Sequence, residues 1–192
     1  PNYLELFQPG KDLHTEVAIR MLGDAKYRND CKPISHLANY GGGEKKLISM
    51  GHDPVLVRQY FRERESQFPG LIRWQNEARE QGSAGELLDN GFGRPLRVER
   101  SQAYTQAPAQ IGQGGTRDMM ARGLLKLVKT APETLPMLRG IVHDEVVLSV
   151  PKDQFEEISR TVVSSFECDW APPGKNLTVP VFAEASKPGE NW

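Results

Sequence analysis

The sequence predicts an α+β protein, helical for its first two thirds and closed by an antiparallel hairpin with a flanking helix and strand. Three observations predict it. Segments with helix caps and apolar residues at helical spacing recur from Asp12 to about Val128. Two β-branched runs, around Ile141-Val142 and Val146-Val147, flank the polar triplet His143-Asp144-Glu145. A helical stretch and a strand-like stretch near Val179 follow, the order expected of helices laid on an antiparallel sheet.

Taken in order, Asp12 is the N-cap of a helix running to Leu22, with Thr15-Glu16 in its first turn and Gly23-Asp24 ending it. A second helix is expected from Asp24 to Asn39. Pro33 lies inside it and costs a helix interior about 3 kcal/mol, so a kink or a fresh start is expected there. Gly41-Gly42-Gly43 breaks the chain, and Asp53-Pro54 pairs an N-cap with proline at the first helical position. That helix carries Val55, Val57, Tyr60 and Phe61 and ends at Phe68-Pro69-Gly70. Another passes through Ile72, Trp74 and Ala78 to Gly82-Ser83, and Gly91 to Arg94 forms a turn with strand character beside it. From Thr116 to Val128 the apolar face of Met119, Met120, Leu124, Leu125 and Leu127 marks a helix. The triplet His143-Asp144-Glu145 is placed at the tip of a hairpin over residues 140–150. A helix from about Asp153 to Cys168, a loop at Ala171–Gly174 and a strand at Val179–Phe182 complete the chain.

Composition narrows the class. The 192 residues are 38% apolar and 26% charged, ordinary values for a globular protein, and no apolar run approaches the roughly 20 residues that span a bilayer. The opening Pro1-Asn2-Tyr3 carries no initiator Met and no secretory pattern, and reads as a processed or excised piece. Cys31 and Cys168 form no Cys-x-x-Cys pair, which fits a reducing, cytoplasmic setting and no membrane partner. The net charge of -1 gives no overall attraction to nucleic acid, but cations gather at Lys26, Arg28 and Lys32, at Lys45-Lys46, and at Arg94, Arg97 and Arg100, which permits one basic face.

Two constellations can carry chemistry. Arg28, Lys32, His36 and Tyr40 recur at intervals of four, so on one continuous helix they form a single row. Arg28 can grip a terminal phosphate through its planar fork, Lys32 can neutralise reacting phosphates, and the rings can pack on sugar and base. A solvated helix face with charges four apart is the plain alternative. Asp144 and Glu145 offer hard oxygen ligands suited to Mg²⁺, against the alternative of a charged β-turn.

The order of these motifs resembles DNA polymerases of family A, those like polymerase I. Arg28-x3-Lys32-x7-Tyr40-Gly41 is similar to that family's fingers-helix motif, and Asp12-Leu-His-Thr15 to the segment before it. Phe92-Gly-Arg94, Gln113-Gly-Gly-Thr-Arg-Asp118, Ile141-Val-His-Asp-Glu-Val146 and the closing Pro188-Gly-Glu-Asn-Trp192 resemble its further motifs in the family's order. The resemblance implies a right-hand polymerase fragment of bacterial or phage kind: helical fingers over 1–137, including the helix near 116 at the palm junction, and the C-terminal palm over 138–192. It implies that His14, Arg28 and Lys32 contact a deoxynucleoside triphosphate, with Lys32 also a general acid, His36 in the same row and Tyr40 stacking at the insertion site. Gln113 and His143 would meet the end of the primer-template DNA, Arg94 its backbone. Asp144, with Glu145 beside it, would ligate Mg²⁺ in a two-metal site.

This sequence departs from the family at three places. His36 stands where Phe or Tyr is usual, Pro33 interrupts the fingers helix, and Gly112–Gly115 loosens the next motif. The family's upstream segment with the first catalytic aspartate does not occur within these residues. The metal site is therefore incomplete, the chain alone is expected to be inactive, and a separate upstream fragment is a conceivable partner. Two rivals remain at this level: a non-enzymatic DNA-binding remnant, and a metal-dependent phosphohydrolase using His52-Asp53 and His143-Asp144. Single-subunit RNA polymerases share part of the motif set.

Overall fold

Asp12 opens the first helix as its sequence predicts: its carboxylate accepts a hydrogen bond from the Thr15 N–H at 3.1 Å, and α1 runs Leu13–Leu22 to a left-handed Gly23. The computed structural model describes residues 3–6, 10–170 and 178–189. The predicted loop at Ala171–Gly174 and the closing Trp192 lie outside those residues.

After a 3₁₀ turn at Ala25–Tyr27, α2 runs Arg28–Asn39 without interruption at Pro33, so the expected fresh start lies at Arg28 instead. Pro33 has no N–H to give the Asn29 carbonyl, a loss of about 3 kcal/mol in a helix interior. Against it stands the stripe Cys31, Ile34, Ser35 and Ala38, buried against α1 and the later α4. Burying Ile34 alone contributes about 1.5–3 kcal/mol, enough with its neighbours to carry the helix through the proline.

A short helix that the sequence pattern did not announce, α3 (Glu44–Ser49), follows the glycines and buries Leu47. Asp53 then caps α4 (Pro54–Gln67), accepting from the Val55 N–H at 2.7 Å. Phe68 ends α4, but Pro69 opens α5 (Pro69–Ala84) at once. Proline suits that role because its missing N–H has no partner in a first turn anyway. Val17, Ala18, Met21 and Leu22 of α1 join the buried faces of α2, α3 and α4 and Phe68 in one core.

The turn at Gly91–Arg94 links β1 (Leu88–Asp89) to β2 (Pro95–Leu96). Buried Asn90 shapes it by accepting from the N–H groups of Phe92 (3.0 Å) and Arg94 (3.3 Å). The helix expected from Thr116 begins thirteen residues earlier: α6 runs Ala103–Thr130, and the glycines at 112, 114 and 115 are helical. Packing explains the early start. Ala103 and Ala107 lie so near α5 that a Cβ on Gly82 would sit 3.1 and 3.3 Å from theirs and 2.8 Å from Val98. Pro108 removes a donor to the Tyr104 carbonyl, and Arg79 replaces it, its Nε donating to that oxygen at 2.9 Å while its guanidinium lies 4.0 Å from the Tyr104 ring.

The hairpin is β3 (Leu138–Val142) and β4 (Glu145–Leu148), with Val142 opposite Glu145. The tip is therefore His143-Asp144, and Glu145 belongs to the strand rather than to the tip. Helix α7 (Phe155–Phe166) ends two residues before Cys168, which instead starts β5 (Cys168–Trp170), paired antiparallel with β6 (Val179–Val181). Among the described residues the strands form three separate two-stranded sheets, not one layer. By internal packing the chain divides at Gly112/Gln113, within α6, into two compact units. No helix among the described residues is long and apolar enough to cross a membrane.

Candidate functional site

The amphipathic pattern of α2 builds the first constellation. With Cys31, Ile34, Ser35 and Ala38 committed to the core, the positions at intervals of four from Arg28 fall on the opposite side, and Lys32, His36 and Tyr40 are exposed. The i, i+4 spacing stacks the rings: His36 and Tyr40 have centroids 6.2 Å apart, and His14, from the first turn of α1, comes within 5.4 Å of His36. Five of the residues named from the sequence thus assemble on two packed helices, with Tyr40 the residue that ends α2. Tyr40 also lies near α6, since a Cβ on Gly112 would be 3.8 Å from its ring.

Charge around this array is arranged by one carboxylate whose partner the sequence did not reveal. Asp12 binds Arg28 through Oδ1 to Nε at 2.8 Å and Oδ2 to Nη2 at 2.9 Å. The guanidinium holds the Asp12 carboxyl down at about 2, and the carboxylate raises the Arg28 pKa in turn. His14 is pushed below the usual histidine value, first by burial and then by the charge of His36 and Lys32. Its Nδ1 is buried and has no hydrogen-bond partner among the described residues. A neutral imidazole beside two cations is the state these surroundings favour.

The end of the row is clamped from behind. Gln75 donates to the Ala38 and Asn39 carbonyls at 3.0 and 2.9 Å and accepts from buried Arg64 at 3.1 Å, which sets a cation at the negative end of α2. Arg79 donates to the Gly41 carbonyl at 3.2 Å, where φ of 83° favours glycine. Neither Arg64, Gln75 nor Arg79 carries a local sequence signal for this role, because their partners are 11 to 38 residues away.

The remaining predicted residues belong to other elements. Arg94 is exposed on the turn between β1 and β2, and Gln113 is exposed on α6, in a helix rather than at a helix start. His143 and Asp144 form the two-residue turn between β3 and β4, with Glu145 next to them, all exposed. His143 has φ of 54°, the left-handed region, at a position where hairpins of this length favour glycine. For a non-glycine residue that conformation costs about 1–2 kcal/mol. Asp144 and Glu145 provide accessible oxygens of the kind Mg²⁺ takes, so the donor chemistry fits a hard cation. Among the described residues, however, no three His, Cys, Asp or Glu side chains come together to hold a metal, so these two form at most part of a site. His52-Asp53, the other pair of the phosphohydrolase reading, stands at the start of α4, where Asp53 is a helix cap.

The family model described as DNA polymerase family A matches residues 1–192. Among curated relatives, "DNA polymerase I, thermostable" of Thermus aquaticus is 28% identical over 207 aligned residues, covering 100% of this chain and 24% of that protein. "DNA polymerase" of Mycobacterium phage L5 is 31% identical across 84% of this chain and 26% of its own length. "DNA polymerase I" of Chloroflexus aurantiacus is 27% identical across the whole chain. The chain spans about a quarter of the length of these relatives.

Proposed function

The chain belongs to DNA polymerase family A, and from that membership we propose that it supplies the fingers and C-terminal palm for template-directed DNA synthesis, the transfer of a deoxynucleotide to a primer 3′-hydroxyl. The observation that carries the reading is the array on α1 and α2, where half-buried His14 and Arg28 and exposed Lys32, His36 and Tyr40 come together, backed by a packed core. Two cations and three rings in that order match a triphosphate followed by a sugar and a base.

In this reading Arg28 and His14 hold the outer phosphates, and Lys32 neutralises the reacting phosphate and protonates the departing pyrophosphate. His36 lies along the sugar, and Tyr40 stacks at the insertion site. Gln113 and His143 touch the primer-template end, and Arg94 its backbone. Strain at His143 supports a role for its side chain beyond turn formation. Mg²⁺, ligated in part by Asp144 with Glu145 beside it, would stabilise the attacking and leaving oxygens. Fingers over 1–137 and palm over 138–192 form the functional partition, distinct from the packing division at Gly112/Gln113. Catalysis is by positioning and charge.

A primer-extension assay tests this. The isolated chain, in which the described residues bring only two neighbouring carboxylates together at the hairpin, gives no extension. A family A polymerase containing this segment extends the primer, and Lys32→Ala in it loses about 2–4 kcal/mol of transition-state stabilisation, roughly 30- to 1000-fold in rate. Robust extension by the isolated chain, or a loss below tenfold for Lys32→Ala, refutes these assignments.

A further inference from the structure

One carboxylate joins the start of α1 to the start of α2. Asp12 Oδ1 accepts from the Thr15 N–H at 3.1 Å and from the Thr15 hydroxyl at 3.2 Å, and the same oxygen accepts from Arg28 Nε at 2.8 Å. Oδ2 accepts from Arg28 Nη2 at 2.9 Å. A guanidinium carries five N–H donors, one on Nε and two on each terminal nitrogen. Asp12 takes the Nε edge. The fork between Nη1 and Nη2 keeps three donors, engaged among the described residues only by a long Nη1 contact to Asn29 Oδ1 at 3.4 Å. That fork binds two oxygens of a phosphate in parallel.

The pair is poorly placed to be a stabilising device. The Arg28 and Asp12 side chains are 41% and 38% exposed, and an ion pair so wetted contributes little to folding. What it removes is the rotational freedom of a long arginine, which an incoming anion would otherwise have to freeze. We propose that Asp12 is a positioning residue for triphosphate binding: by occupying the Nε edge of Arg28 it fixes the guanidinium with its terminal fork left for the outermost phosphate. This rests on the nucleotide reading of the α1–α2 array. Because its carboxyl is held at about 2, Asp12 keeps its charge at the near-neutral pH of a binding measurement.

Titration calorimetry with inorganic tripolyphosphate on the 192-residue chain, at fixed low ionic strength, separates the possibilities. Asp12→Ser keeps an oxygen able to cap α1 but removes the anion facing Arg28. It weakens binding about five- to tenfold, the cost of ordering one long side chain, with the thermal midpoint nearly unchanged. Asp12→Asn, which keeps one acceptor for Arg28, falls between wild type and Asp12→Ser. In an Arg28→Ala background, Asp12→Ser has no further effect, since residues acting through one contact are not additive. Unchanged or tighter binding by Asp12→Ser overturns the proposal, as does an undiminished loss in the Arg28→Ala background. Failure of the wild-type chain to bind tripolyphosphate is a different result: it overturns the nucleotide site itself, and the proposal with it.

Discussion

Helix α2 and the β3–β4 hairpin each expose residues with a proposed part in the same reaction, but what holds those residues differs. Behind α2 lie Val17, Met21, Leu47, Val57 and Tyr60, each no more than 1% exposed, and the buried Arg64–Gln75 pair grips the helix end. The hairpin has its strand ladder and a two-residue turn, while Ile141 and Val142 remain 49% and 39% exposed. A two-stranded hairpin is marginal by itself, so its tip is positioned by local backbone geometry, whereas the α2 row is positioned by a core. Matching truncations sharpen the contrast. Ile34→Ala, on the buried side of α2, costs about 4 kcal/mol of stability, and Ile141→Ala on the hairpin less than about 1 kcal/mol. Urea unfolding midpoints read both, and equal costs would erase the distinction.

A smaller effect tests the clamp behind Tyr40. Arg79→Leu leaves the Tyr104 and Gly41 carbonyls without their side-chain donor and costs about 2 kcal/mol. If the arginine stands in for the N–H missing at Pro108, then Pro108→Ala in the Arg79→Leu background returns about 1 kcal/mol, because the alanine restores an N–H that can donate to the Tyr104 carbonyl. A strictly additive double mutant would detach the proline from the arginine.

Local rules read the caps and turns well. Asp12, Asp53 and the Gly91–Arg94 turn are where side-chain chemistry places them, and the row from Arg28 to Tyr40 follows from helical spacing alone. What local rules missed was decided by distant partners. Pro33 stays helical because its neighbours are buried against α1 and α4, and α6 starts early because Ala103 and Ala107 pack on α5. The Asp12–Arg28 pair spans 16 residues and fits no periodicity, so the organiser of the site's charge was visible only as a helix cap. Glu145 moved from the tip into β4 because strand pairing reaches Val142 and leaves two residues for the turn.

The finest test of the comparison uses pH, because mild acid should act on the packed α1–α2 surface through His14. Burial against α2 and the charges of His36, Lys32 and Arg28 lower its folded pKa below the unfolded value of 6.5, and Asp12 offsets only part of this. A lowered folded pKa means the unfolded chain binds the proton more readily. The contribution is therefore fully present above about pH 6.5 and is lost as the pH falls from there through the folded value. The unfolding midpoint drops between pH 7 and pH 5, and His14→Gln flattens that slope. A second and much smaller loss belongs to Asp12, whose carboxyl is lowered from 3.8 to about 2 in a pair that water largely screens, so it appears only as the pH drops from about 4 to about 2, and Asp12→Ser removes it. If His14→Gln leaves the slope between pH 7 and 5 intact, the imidazole is not what makes this surface acid-sensitive, and its unpartnered Nδ1 carries no electrostatic cost.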